Sequence, residues 1–224
     1  SLSSSSGNTK FDIHDNLNLS GNDFLAINVL KAAFATGGTL DGRIRGNTIT
    51  VPVGNATDAI LVHNRGTGTA RIAVTDNVIS FGGTQIAIDL QAGQDGVSVH
   101  EVTVTGNQIA ITGAATNAIA GNGILATPGG TGTTMCFDIG GNTAALRNTI
   151  THPGGSVGAG GDIRVRQRNT GPIRLPGYAG AGGDTAAVVA YLTGRNTFIT
   201  AATASTNDNL YSGGGACLQP TAFP

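Results

Sequence analysis

Short runs in which apolar and polar residues alternate recur along the chain, each followed by an asparagine and a second run. The leading runs are Phe11-Asp12-Ile13, Ile44, Ile72-Ala73-Val74, Val102-Thr103-Val104 and Phe137-Asp138-Ile139. A period of two in residues rich in Ile, Val and Thr is the pattern of a half-buried β-strand. The asparagines are Asn16, Asn47, Asn77, Asn107 and Asn142, spaced 31, 30, 30 and 35 residues apart. Behind them come Thr48-Ile49-Thr50-Val51, Val78-Ile79-Ser80-Phe81 and Ile109-Ala110-Ile111. A third set, Ala59–Val62, Ile86–Leu90 and Ala118-Ile119, completes three strands per unit, separated by connectors such as Gly66-Thr67-Gly68. A fixed period of this size predicts a solenoid, whose repeats bury their apolar faces by stacking on one another. Within the repeats a helical reading is excluded by the β-branched content and the glycine density.

The recurring asparagine has a mechanical reason. A sharp bend between strands needs a residue that tolerates the left-handed region. Repeats stacked about 4.8 Å apart also let side-chain amides bond along the stack. Asn16, Asn47, Asn77, Asn107 and Asn142 are therefore expected to form a structural ladder. The (I/V)xVxxNxI pattern over residues 10–143 resembles right-handed parallel β-helix proteins, including pectate-lyase-like folds and the passengers of bacterial surface adhesins. The resemblance implies an all-β, right-handed parallel β-helix of about five coils and says nothing of chemistry.

The period breaks after residue 143, so the expected organisation is a tail over 1–9, a β-helix over 10–143 and a cap over 144–224. Asp162 to Arg168, Arg174 to Tyr178 and Ala186 to Leu192 are similar to the terminal segment of large bacterial extracellular β-helix proteins, in which a cysteine near the end is common. Arg164–Arg168 and Ile173–Leu175 read as two strands joined around Asn169-Thr170-Gly171-Pro172. Asp184 or Thr185 is expected to N-cap a short helix through Leu192, with Gly194 ending it. A solenoid end exposes strand edges and needs such a cap. The N-terminal side offers none, and its Ser-rich start without methionine reads as a processed product.

Composition narrows the class. Charged residues make up 11% of the 224, tryptophan is absent, and the formal net charge is −1. No apolar run approaches the ~20 residues needed to span a bilayer, and nothing points to nucleic acid. Cys136 and Cys217 are two buried thiols or a disulfide, and the secreted character of the composition favours the disulfide. Neither a metal nor a cofactor is expected, since two cysteines alone fall short of a zinc set.

Candidate chemistry is sparse. His14, His63, His100 and His152 are scattered and read as surface or turn residues. Asp76, Asp89, Asp95 and Glu101 form no pair at the ~5–9 Å separation of glycoside hydrolysis. Arg164, Arg166 and Arg168 share one strand face, and Arg174 is expected on a partner strand; together they are a candidate inter-subunit basic face or a solvated edge. Residues 1–142 carry ten acids against six Lys/Arg, and residues 143–224 three acids against six arginines. Opposite ends of opposite sign favour a heterologous, non-closing contact. The expectation is a secreted, non-enzymatic structural subunit that assembles with itself head to tail. A β-helical adhesin module that binds glycans is the alternative, and a polysaccharide lyase or hydrolase a lesser one. Asn55-Ala56-Thr57 fits the N-glycosylation acceptor pattern.

Overall fold

The computed structural model describes residues 1–20, 25–93, 95–113, 122–153, 161–167, 170–198, 203–205 and 211–222. In each circuit the chain lays one strand in each of three sheets, A, B and C. The first circuit is β1 (Leu2–Ser6), β2 (Thr9–His14) and β3 (Leu19–Ser20). The second is β4 (Ile27–Thr36), β5 (Thr39–Arg45) and β6 (Thr48–Val51), and the third β7 (Ile60–Asn64), β8 (Gly68–Thr75) and β9 (Val78–Phe81). The fourth is β10 (Ile86–Ala92), β11 (Ser98–Thr105) and β12 (Gln108–Ile111). The fifth is β13 (Asn122–Pro128), β14 (Thr134–Ile139) and β15 (Thr149–Thr151), and the sixth β16 (Ile163–Arg166), β17 (Ile173–Arg174) and β18 (Thr197–Phe198). Two last strands, β19 (Thr203–Ser205) and β20 (Tyr211–Ser212), extend sheets A and B. Every pairing among these strands is parallel.

Parallel register turns the sequence alternation into columns. Val29, Val62, Leu90, Ala126 and Val165 stack inside sheet A. Ile13, Ile44, Val74, Val104 and Ile139 do so in sheet B. Ile49, Ile79, Ile109 and Ile150 do so in sheet C. Almost all are fully buried in one continuous core. Burying each branched side chain is worth roughly 1.5–3 kcal/mol, and apolar neighbours above and below fill each layer.

Several expectations change. Beyond residue 143, β15 to β20 continue the same three sheets through the segment expected to be a cap of two strands and a short helix. The tail expected over residues 1–9 is β1 and the start of β2, with Leu2 facing Val29 and Ser3 facing Leu30 on its own body. The strand that follows β12 is β13, while the expected Ala118-Ile119 lies outside the described residues. β16 and β17 are not partners, because their connection turns the corner from sheet A to sheet B. The helix α1 (Thr185–Arg195) is capped by Asp184, whose carboxylate accepts from the Ala187 amide at 2.9 Å. It runs through Gly194 and stops at Asn196. Val188 and Leu192 are its buried residues, seated in the core. Among the described residues no helix is long and apolar enough to cross a membrane.

Candidate functional site

The asparagine ladder occupies the corner between sheets B and C. Each side-chain amide donates to the next Oδ1: Asn16 to Asn47 (2.8 Å), Asn47 to Asn77 (2.9 Å) and Asn77 to Asn107 (2.9 Å). It continues from Asn107 to Asn148 (2.9 Å) and from Asn148 to Asn196 (2.8 Å). Asn196 closes it by donating to the Leu192 carbonyl of α1 at 3.0 Å. Each Oδ1 along the stack also accepts the backbone N–H of the preceding ladder asparagine, as Asn77 does from Asn47 at 3.0 Å. Asn142 is not a member. It is exposed ahead of a 3₁₀ turn at Ala144–Leu146, and Asn148 takes its place. The missed signal is visible in hindsight, since Asn148-Thr149-Ile150 repeats Asn47-Thr48-Ile49. The left-handed residue is also one position earlier than expected: Asp15, Gly46, Asp76 and Gly106 have φ of 52°, 63°, 57° and 70°.

The outer face of sheet B carries a column of charge in parallel register: Lys10, Asp41, Arg71, Glu101, Cys136 and Arg174. Arg71 grips Asp41 with two bonds of 2.5 and 2.7 Å. Arg174 reaches past Cys136 to both oxygens of Glu101, at 3.0 and 3.3 Å. Over this column the C-terminal segment 213–222 runs back toward the N-terminal end as a strap. Arg174 donates to the carbonyls of Gly215 and Ala216, and Cys217 is disulfide-bonded to Cys136. The Leu218 amide donates to Glu101 Oε2 at 2.9 Å and Gln219 to the Thr103 hydroxyl at 2.7 Å. The Thr221 hydroxyl donates to Asp41 at 2.8 Å, and Lys10 Nζ donates to the Ala222 carbonyl at 3.0 Å. A cavity of about 300 Å³ lies where the strap begins, lined in part by Glu101, Cys136, Arg174 and Ser212.

The described arginines of the expected basic face lie on two different sheets. Arg174 belongs to sheet B and is tied to Glu101 and the strap. Arg164 and Arg166 lie on sheet A, alternating with buried Ile163 and Val165, and Arg168 lies outside the described residues. The candidate carboxylates are likewise dispersed. Asp76 is at the B–C corner, and Asp89 is buried on sheet A, accepting from Gln91 at 2.6 Å. Asp95 pairs with Arg65 at 2.5 Å, and Glu101 lies under the strap.

Three histidines depart from the surface reading: His100 is buried, and His63 and His152 are half-buried. His100 is fully buried in the inward column between Ala70 and Met135, and neither ring nitrogen has a hydrogen-bond partner. Burial, with the field of His63 second, pushes its pKa down to about 3. His63 is lowered to about 4, chiefly by burial and then by Arg65. His152 bonds the buried Asp162 through Nε2. Asp58 moves the other way: burial lifts its carboxyl to about 6 against the bond it accepts from the Ile86 amide.

The two ends of the stack differ. Among the described residues β1, β2 and β3 at one end and β18, β19 and β20 at the other each have a partner on one side only; Leu2, Ile13 and Leu19 at the first end are half-buried. At the other end α1 lies against β19, and the Tyr211 amide of β20 donates to Gly182 at 3.0 Å. No family model, curated protein sequence or solved structure matches this chain.

Proposed function

We propose that the chain is a right-handed parallel β-helix serving as a non-enzymatic structural module of an extracellular bacterial filament or surface layer. The observation that carries this reading is the bare parallel edge at the N-terminal end: among the described residues β1, β2 and β3 have no outer partner and carry half-buried Leu2, Ile13 and Leu19, whereas α1 lies against β19 at the other end. An open parallel edge is a template for further strands. Its occupant is the end of a neighbouring copy, arranged head to tail. The disulfide fits a secreted location, and the acids and bases of sheet B are engaged in holding the stack rather than grouped for catalysis.

Sedimentation velocity and negative-stain microscopy over a concentration series test this. The native chain is expected to form axial assemblies, and Leu2→Lys/Leu19→Lys to remain monomeric with unchanged circular dichroism. A native chain that stays monomeric at every concentration overturns the reading. A second reading, attachment to neutral glycans, is favoured by the outer face of sheet C. Its columns Thr48, Val78, Gln108, Thr149 and Thr50, Ser80, Ala110, Thr151 carry no charge, and a shallow groove of about 210 Å³ lies on them. Glycan-array binding lost in Gln108→Arg would support it.

A further inference from the structure

We infer that Glu101, Cys136 and Cys217 form a binding site for a thiophilic divalent cation, zinc foremost, which becomes available when the disulfide is reduced. The donor atoms of the three residues all lie within 4.8 Å of one another, and all three residues are buried. A tetrahedral zinc with two thiolates at about 2.3 Å and a carboxylate oxygen at about 2.1 Å holds its donors about 3.5–3.8 Å apart. To reach that spacing the bonded sulfurs must separate, while a Glu101 oxygen already lies within 4.8 Å of both. Cys217 can move because it follows the Gly213-Gly214-Gly215 run.

What distinguishes this pair from an ordinary disulfide is that the strap is anchored independently on both sides of Cys217. Arg174 holds the carbonyls of Gly215 and Ala216, and the Leu218 amide donates to Glu101 itself. Farther on, Gln219, Thr221 and Ala222 are bonded to Thr103, Asp41 and Lys10. Cleaving the sulfur–sulfur bond therefore leaves the two thiols facing each other beside a carboxylate. The adjoining cavity of about 300 Å³ admits a water as fourth ligand, a role for which a water-sized space is ample. Two thiolates, one carboxylate and a dication sum to −1, which the Arg174 guanidinium beside Glu101 balances. Thiolate ligands select zinc-like ions over magnesium or calcium.

The chemistry balances in two steps. A phosphine reductant takes an oxygen from water to become the phosphine oxide, delivering two electrons and two protons to the disulfide, which gives two thiols. Binding of the cation then releases both thiol protons to solvent, so affinity rises with pH. The site goes beyond the structural reading and does not depend on assembly.

Cobalt(II) titration of the intact chain, before and after phosphine reduction, tests the inference, with circular dichroism recorded in parallel. One equivalent of cobalt is expected to give a thiolate-to-metal charge-transfer band in the reduced chain only, and zinc to displace it. Glu101→Gln is expected to weaken the affinity at least tenfold, and Cys136→Ser/Cys217→Ser to abolish the band and any zinc-induced rise in thermal midpoint. Absence of a band in the folded reduced chain overturns the site, and so does unfolding on reduction, because the anchors must hold Cys217 in place. Unchanged affinity in Glu101→Gln overturns the assignment of the third ligand.

Discussion

Asn77 accepts from both the backbone and the side-chain amide of Asn47, and its own amide donates to Asn107 Oδ1 and to the Ile44 and Thr75 carbonyls. Because it is wholly buried, Asn77→Ala leaves buried donors without an acceptor, at about 1–3 kcal/mol per orphaned group. Urea denaturation is expected to show a loss of about 3 kcal/mol for Asn77→Ala and for Asn148→Ala. Exposed Asn142→Ala is expected to stay within about 0.5 kcal/mol. A second residue-scale outcome concerns acid. His63 and His100 have folded pKa values of about 4 and about 3, below the ordinary 6.5. The unfolded chain therefore takes up protons first, and their contribution is full above pH 6.5 and lost as pH falls through 4 toward 3. Asp58, raised from 3.8 to about 6, has the opposite sign: its term favours the folded state at acid pH and fades as pH rises from about 4 to about 6. His100→Leu removes two unpartnered ring nitrogens from a column that already holds Leu40 and Met135. It is expected to stabilise the protein by about 1–3 kcal/mol and to flatten the acid limb of a midpoint-against-pH curve.

At the scale of elements, strands were legible wherever alternation and the asparagine fell together, as in Val102-Thr103-Val104 before Asn107. Where residues entered between circuits the period failed as a guide: Asn148 stands 41 residues after Asn107, and Asn196 48 after Asn148. Counting in thirties fixed on Asn142 instead. Opposite charges at 30-residue spacing, such as Asp41 and Arg71, were also open to the same counting. The strap was not legible beyond its cysteine, since its segment binds through backbone groups and single polar side chains that leave no periodic trace. Its disulfide closes a sequence separation of 81 residues, worth about 4–5 kcal/mol in the chain-entropy model. Cys136→Ala/Cys217→Ala is expected to lower stability by that amount in denaturant. Mass spectrometry after limited proteolysis is expected to find cleavage first within 213–222, ahead of any cut in the sheets.

For the whole molecule, the uneven charge of the two halves means less than its arithmetic. Of the C-terminal arginines, Arg174 is held by Glu101, Arg195 by Asp138 at 2.7 Å, and Arg147 by the Gly194 and Asn196 carbonyls. Any axial association is therefore expected to depend weakly on salt between 50 and 500 mM (roughly the range over which surface charge is screened), as read by sedimentation. A steep salt dependence would return the contact to the arginines. The interruptions at the B–C corner have a consequence of their own. Both a 3₁₀ turn and an eleven-residue helix enter there, yet the amide chain passes from Asn107 through Asn148 to Asn196 unbroken. The corner is thus a permissive port, where length is added outside while the layers within keep their registration. A foreign peptide grafted between residues 141 and 147 is displayed on a rigid support, its position set by amides it never touches.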